Sequence, residues 1–193
     1  MSLLFKNREE KTVLYNGISL DKLVFNDEEI WNRAILDSST LPEGATWENY
    51  ILGVSGNQQN ESSAGYSDAA VWCTAGGSYG QSTWRTLIGY LNGLPIVGNG
   101  QTVEVTVTIT KDSSTKTGHQ FYLGYCDGTS TGSASNIPSN VSKISGSGTY
   151  QIAMPSDGKN YYIAAGVFCQ SYNDGGTGGA TKATGRITIN SII

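Results

Sequence analysis

Charge is scarce in this chain. Charged side chains make up 15% of its 193 residues, against about 25% in ordinary globular domains. Twelve Lys and Arg face 16 Asp and Glu, for a formal net charge of −4, and no basic cluster occurs anywhere. Holding a phosphate backbone takes clustered Lys and Arg, so a nucleic-acid partner is excluded. There is one histidine, His119, and three cysteines far apart, Cys73, Cys126 and Cys169. That supply lacks the paired spacing of a zinc site. An odd cysteine count cannot close a full set of disulfides. Each cysteine sits in an apolar, strand-like context (Val71-Trp72-Cys73, Tyr125-Cys126, Val167-Phe168-Cys169). Three buried free thiols are the favoured reading. One disulfide with one thiol left over is the alternative. Free thiols suit assembly in a reducing cytoplasm. No run approaches the ~20 apolar residues of a membrane-spanning helix. Met1-Ser2-Leu3-Leu4-Phe5 is too short for a secretory leader and runs into Lys6, Arg8, Glu9 and Glu10. The expectation is therefore no signal peptide, no membrane insertion and assembly in a reducing cytoplasm.

Gly, Ser, Thr and Asn take the place of charge, and apolar residues recur with strand periodicity. Val103, Val105, Val107 and Ile109 alternate with Thr102, Glu104, Thr106, Thr108 and Thr110. Period two with one apolar face predicts a half-buried strand. Phe121, Leu123 and Tyr125 alternate in the same way. Tyr50–Val54, Ala69–Thr74 and Thr149–Met154 read as further strands, and Tyr161–Phe168 as a central one. Gly185–Ile192 closes the chain with Ile187 and Ile189 inward. Thr83–Leu91 fits a strand or one short helix, with Thr86, Ile88 and Gly89 favouring strand. Strands at this spacing, without βαβ alternation, predict an all-β, jelly-roll-like two-sheet sandwich over residues 48–193. Segments 55–68, 74–82, 127–148 and 170–184 read as long loops, which are usual places for binding.

The N-terminal 36 residues carry a tandem pattern. Leu14-Tyr15-Asn16-Gly17-Ile18-Ser19-Leu20 is echoed ten residues on by Val24-Phe25-Asn26-Asp27-Glu28-Glu29-Ile30, followed by Trp31. Asn-Gly or Asn-Asp between apolar runs signals a two-residue hairpin, whose central residues need positive φ. Residues 1–36 are thus expected to hold a small β-meander with one long middle strand, Ile18 to Phe25. Asp27-Glu28-Glu29 could instead open a helical turn. Residues 37–47, with Pro42 and Gly44 among polar residues, read as a linker. So small a hairpin pair needs a surface to cover its apolar side. Leu14, Tyr15, Leu20, Val24, Phe25, Ile30 and Trp31 are accordingly the candidate attachment residues. Packing of these residues on the chain's own body is the structural alternative.

Catalytic devices find little support. A Ser-His-Asp device would depend on His119, which no Gly-x-Ser-x-Gly elbow accompanies. Asp127-Gly128 and Asp157-Gly158 read as turns before they read as glycosidase acids. Gly175-Gly176-Thr177-Gly178-Gly179 lacks the Lys and helix of a phosphate loop. No cofactor is expected. A structural calcium, held by Asp127 or by Asn173-Asp174, is the only metal that the residue types would serve. The aromatics are richer. A sugar ring offers an apolar face to an indole or phenol while flanking amides bond its hydroxyls. Tyr66, Tyr79, Trp84 and Tyr172 are the candidate glycan-binding residues. Trp72, Trp84 and Tyr90 also suit a core.

Val13 to Trp31 resembles the "apolar-Asn-Gly, Asp-Lys-Val, apolar-Asn-Gly, Val-Trp" segment of structural proteins from tailed phages and prophages of Gram-positive, often gut, bacteria. Asp27-Glu28 stands here where Gly-Thr is common. The body, with its closing Gly185-Arg186-Ile187-Thr188-Ile189-Asn190 strand, is similar in pattern to carbohydrate-binding-module-like jelly rolls. The first resemblance implies a non-enzymatic tail, baseplate or capsid-decorating component that meets sibling subunits or other virion proteins. The second implies contact with host cell-surface polysaccharide. A carbohydrate-binding module of a secreted or cell-surface protein is the alternative.

Overall fold

The computed structural model describes residues 13–15, 18–20, 22–25, 28–32, 34–55, 62–76, 82–112, 117–129, 137–172 and 182–193. Up to residue 32, and at 54–55, the description covers the backbone alone. The described chain is all-β and builds two antiparallel sheets packed as a sandwich.

Four short strands come first: β1 (Val13–Tyr15), β2 (Ile18–Leu20), β3 (Lys22–Phe25) and β4 (Glu28–Asn32). Tyr15 pairs with Ile18 and Phe25 with Glu28, so each hairpin closes around a two-residue connection, as the Asn-Gly and Asn-Asp pairs predict. The expected long middle strand is instead two strands, β2 and β3, in separate two-stranded sheets. Asp21 falls between them, at the place where apolar alternation fails. Glu28 and Glu29 belong to a strand rather than a helical turn. The register slips between Leu23 and Val24, a β-bulge in this hairpin. The side chains of Leu14, Tyr15, Leu20, Val24, Phe25, Ile30 and Trp31 lie outside the described part.

The sandwich begins before the expected residue 48. Leu36 bridges Ile192, and the Ile35 amide donates to the Ile192 carbonyl at 2.8 Å. Leu36 is only 3% exposed and belongs to the core. Within the expected linker, the Ser39 carbonyl accepts from the Ala69 amide at 3.2 Å. One sheet is ordered β13-β10-β15-β7-β6: β13 (Gly148–Ala153), β10 (Thr102–Lys111), β15 (Lys182–Ile192), β7 (Ala70–Gly76) and β6 (Ser63–Ser67). The other is ordered β12-β11-β14-β8-β5: β12 (Val141–Ile144), β11 (Thr117–Cys126), β14 (Ser156–Ser171), β8 (Thr83–Asn92) and β5 (Thr46–Ser55). The short β9 (Ile96–Asn99) pairs with the start of β14. Every pairing is antiparallel, and the chain crosses between sheets repeatedly.

Strand alternation builds the core. Val103, Val105 and Val107 of β10 and Ile187 and Ile189 of β15 face Leu87, Ile163 and Val167 of the other sheet. Each fully buried aliphatic side chain contributes on the order of 1.5–3 kcal/mol. Thr83–Asn92 resolves as strand, and its central place explains why: β8 is paired on both sides, by β5 and β14. Two strands, β6 and β12, fall where loops were expected, and β9 forms where no element was assigned. β6 and β12 are short sheet edges and β9 is a four-residue flank. Ser63-Ala64-Gly65-Tyr66-Ser67 has little intrinsic strand preference and takes its form from pairing with β7.

Candidate functional site

The outer face of the β12-β11-β14-β8-β5 sheet carries the candidate site. The register sets its residues in rows across three strands. Trp84, Gln170 and Gly118 form the first row, Thr86, Phe168 and Gln120 the second, and Ile88, Gly166 and Tyr122 the third. Tyr90, Ala164 and Gly124 follow, then Tyr162 beside Cys126. Large and small side chains alternate, so the bulky ones fit without clashing. Gly166 is one such position. A Cβ there would run into the Ile88 side chain and lie 2.8 Å from the Leu87 carbonyl oxygen.

The two ends of this face differ. Toward the Tyr90 and Cys126 rows, Tyr50, Ile51, Ile88, Tyr90, Tyr122, Cys126, Val141 and Ala164 are buried and form a second apolar cluster that runs from β5 to β12, with Ile137 packed against it. The Tyr90 hydroxyl donates to the Gly128 carbonyl at 3.1 Å, and its ring meets Tyr162 at 5.5 Å. Burial pushes the Tyr90 and Tyr122 phenols above their ordinary pKa, with Glu48 adding to the effect at Tyr90. Burial also pushes the Cys126 thiol up to about 11. This end is structural.

The other end is more exposed, and the described side chains in its rows carry no charge. Trp84 and Phe168 stack at 6.1 Å with their planes 26° apart, both half-buried. The Tyr122 hydroxyl donates to Gln120 Oε1 at 2.6 Å, and the Tyr172 hydroxyl to Gln170 Oε1 at 2.9 Å. Each amide is thereby oriented, and its Nε2 donors have no partner among the described residues. Trp84 Nε1 has none there either. Tyr172, 45% exposed, ends the row. Its hydroxyl lies close over Gly118, 3.1 Å from where a Cβ would stand. The arrangement combines apolar ring faces with outward-pointing neutral donors. That chemistry fits an uncharged, polyhydroxylated ligand.

The candidate residues separate on this map. Trp84 and Tyr172 come together on the open end. Trp84 is therefore not between the sheets, where a core reading would put it. Trp72 is likewise half-buried on an outer face, lying over Gly65, whose Cβ would stand 3.0 Å from the indole. Tyr66 is in β6, not in a loop, and half-buried. Its ring lies flat on Trp47 at 5.4 Å and 5°, and its hydroxyl donates to Asn49 Oδ1 at 2.7 Å. Burial first, then Glu48, raises its pKa. Trp47 Nε1 in turn donates to the Asp68 carbonyl at 2.7 Å. These contacts make Tyr66 part of a clasp between the β5 and β6 edges, not a ligand platform. Tyr79 lies outside the described residues.

Phe168, Gln120, Gln170 and Tyr122 were not among the sequence candidates. The signal for Phe168 and Gln170 was present in β14, read every second residue: Tyr162, Ala164, Gly166, Phe168, Gln170, Tyr172; Gln120 and Tyr122 lie in β11, alternating with Phe121 and Leu123. The near-continuous apolar run from Tyr161 hid that outward series.

Other chemistry gains no geometry. Asp127 Oδ1 accepts from the Thr129 amide at 3.0 Å and from the Thr129 hydroxyl at 2.6 Å, the turn role expected of it. Those bonds hold its carboxyl below the usual range. Asn173 and Asp174 lie outside the described residues. Among the described residues no three His, Cys, Asp or Glu side chains converge as a metal site. His119 is a nearly buried side chain of β11. Its Nε2 lies 3.1 Å from both Asp112 Oδ2 and the Thr184 carbonyl.

No protein-family model and no curated protein matches this chain. Among solved structures it is similar to the glycoside hydrolase domain of Endo-D from Streptococcus pneumoniae, at 12% identity and a TM-score of 0.37. That match covers 89% of this chain but only 25% of the other, so the chain spans a quarter of its neighbour's length. It is also similar to accessory secretory protein 1, 2 and 3 of Streptococcus pneumoniae, at 12% identity and a TM-score of 0.31, over 72% of this chain and 93% of the other.

Proposed function

We propose that this chain is a non-enzymatic virion structural protein of a phage, a tail, baseplate or capsid-decorating component, whose sandwich contacts host surface polysaccharide. The observation that carries the carbohydrate contact is the open row of Trp84, Phe168, Gln120, Gln170 and Tyr172. Ring faces stack on a sugar's C–H face, and the oriented amides donate to its hydroxyls. Absence of charge across the row favours a neutral saccharide. Support for the virion setting comes from the Val13–Trp31 segment and its two-residue hairpins. Under this reading the hairpins meet sibling subunits or another virion protein, and a symmetric homo-oligomer results. A carbohydrate-binding module of a secreted or cell-surface protein would use the same open row without sibling contacts.

The test joins a glycan array with light scattering on the full chain. Binding to neutral saccharides, weakened at least about tenfold (about 1.4 kcal/mol) by Trp84→Ala with the fold intact by circular dichroism, is expected. Binding indifferent to both Trp84→Ala and Phe168→Ala overturns the carbohydrate contact. A defined oligomer that Leu14→Asp with Phe25→Asp dissociates supports the virion setting. A monomeric wild-type chain that binds sugar supports the module reading instead.

A further inference from the structure

We propose that Cys73 and Cys169 are a redox site, closing under oxidising conditions into a disulfide that ties the two sheets together. Cys73 lies on the inner face of β7 and Cys169 on the inner face of β14, in opposite sheets. Their Sγ atoms are 2.8 Å apart, and Cys169 Sγ also lies 3.3 Å from the Cys73 carbonyl oxygen. Both side chains are fully buried. Gly185 makes the approach fit. It pairs with Cys73 in β7, and a Cβ there would stand 3.2 Å from Cys169 Sγ. The missing side chain is the hollow that Cys169 occupies. Cys126 takes no part, because it sits on the outer face of its sheet in the second apolar cluster. The geometry therefore selects one pair out of three thiols.

The chemistry balances with a low-molecular-weight disulfide as oxidant. Thiolate attack on oxidised glutathione breaks its S–S bond, forms a mixed disulfide and releases one glutathione thiol. The second cysteine then attacks the mixed disulfide, the Cys73–Cys169 bond forms and a second glutathione thiol leaves. The pair loses two protons and two electrons, and glutathione gains both. Neither native thiol is exposed, so the reaction takes place as the sheets close during folding or in an opened state. In a reducing cytoplasm the chain keeps both thiols, and it gains the cross-link outside. The bond would close a long loop, since the two residues are 96 positions apart, and long loops lose the most entropy in the unfolded chain. This inference stands independently of the proposed function.

The experiment refolds the reduced full chain in a glutathione redox buffer, then denatures and alkylates it. Peptide mass spectrometry should find alkylation at Cys126 alone and one linked peptide joining Cys73 to Cys169. The oxidised chain should melt about 10 °C above the same chain after reduction. Cys126→Ser should leave the linked peptide and no alkylated thiol. Expression in an oxidising bacterial compartment supplies the same readout without refolding. Alkylation at all three cysteines, or a linked peptide containing Cys126, would overturn the assignment.

Discussion

Thr86 shows how finely the residue scale balances. Its hydroxyl is buried in the row of Phe168 and Gln120 and finds no hydrogen-bond partner among the described residues. A buried, unsatisfied hydroxyl costs about 1–3 kcal/mol, because water is given up and nothing replaces it. Valine keeps the shape and the β-branch. Thr86→Val is therefore expected to stabilise the chain by about 1 kcal/mol, read as a higher urea midpoint with unchanged slope. Tyr66 shows the opposite case. Its hydroxyl bond to Asn49 is made, and Gly89 leaves the room for it, since a Cβ there would stand 2.7 Å from the phenol oxygen. Tyr66→Phe leaves the Asn49 carbonyl without that donor and is expected to cost about 1 kcal/mol in chemical denaturation.

At the scale of elements, β14 organises the molecule. It pairs with β11 and β8, so it is central, and it carries two different faces. Its inner residues Ile163, Ala165 and Val167 join the main core. Its outer residues pass from half-buried Tyr162, through buried Ala164 and Gly166, to half-buried Phe168 and Gln170 and exposed Tyr172. A sheet face more covered at one end than at the other is the surface on which the proposed carbohydrate contact rests. Edge strands are treated differently. β6 is short, and the Trp47–Tyr66 clasp closes it against β5. An edge tied down this way is less available for pairing with another chain.

At the scale of the whole molecule, the start of the sandwich meets its last strand. Leu36 and Ile192 are both in the main core and bonded to each other. Leu36→Ala removes a buried isobutyl group and should cost about 2–3 kcal/mol, seen as a lower urea midpoint. A conservative change in the neighbouring exposed Ser38 should leave that midpoint unmoved. Several phenols are also linked to overall stability. Burial raises the pKa of Tyr66, Tyr90 and Tyr122. At Tyr161 the hydrogen bond to Asp157 comes first and pushes the phenol up to about 12. Folding thus favours the protonated phenols. Their contribution is complete below the ordinary value of 10.0 and is lost as pH rises from there through the raised values. Urea midpoints should hold steady to about pH 10 and then fall. Tyr66→Phe should make that fall shallower.

Much of this architecture was legible in the residues themselves. Alternation of Val and Thr over 102–111 determined β10, and paired turn residues determined the two N-terminal hairpins. Both are local effects: side chains of a strand point to opposite faces, and Asn tolerates the backbone a tight turn needs. Burial of all three cysteines was legible from their apolar neighbours. Tertiary structure alone decided the rest. β6 and β12 exist because a neighbouring strand offers hydrogen bonds, which no local preference reports. Trp72 and Trp84 turn outward because strand register, not hydrophobicity, assigns a face. Phe168, Gln120 and Gln170 meet only when β8, β14 and β11 come side by side, and Cys73 reaches Cys169 only when one sheet is laid on the other. Sequence patterns act within a few residues, whereas a site spanning three strands is a property of their register.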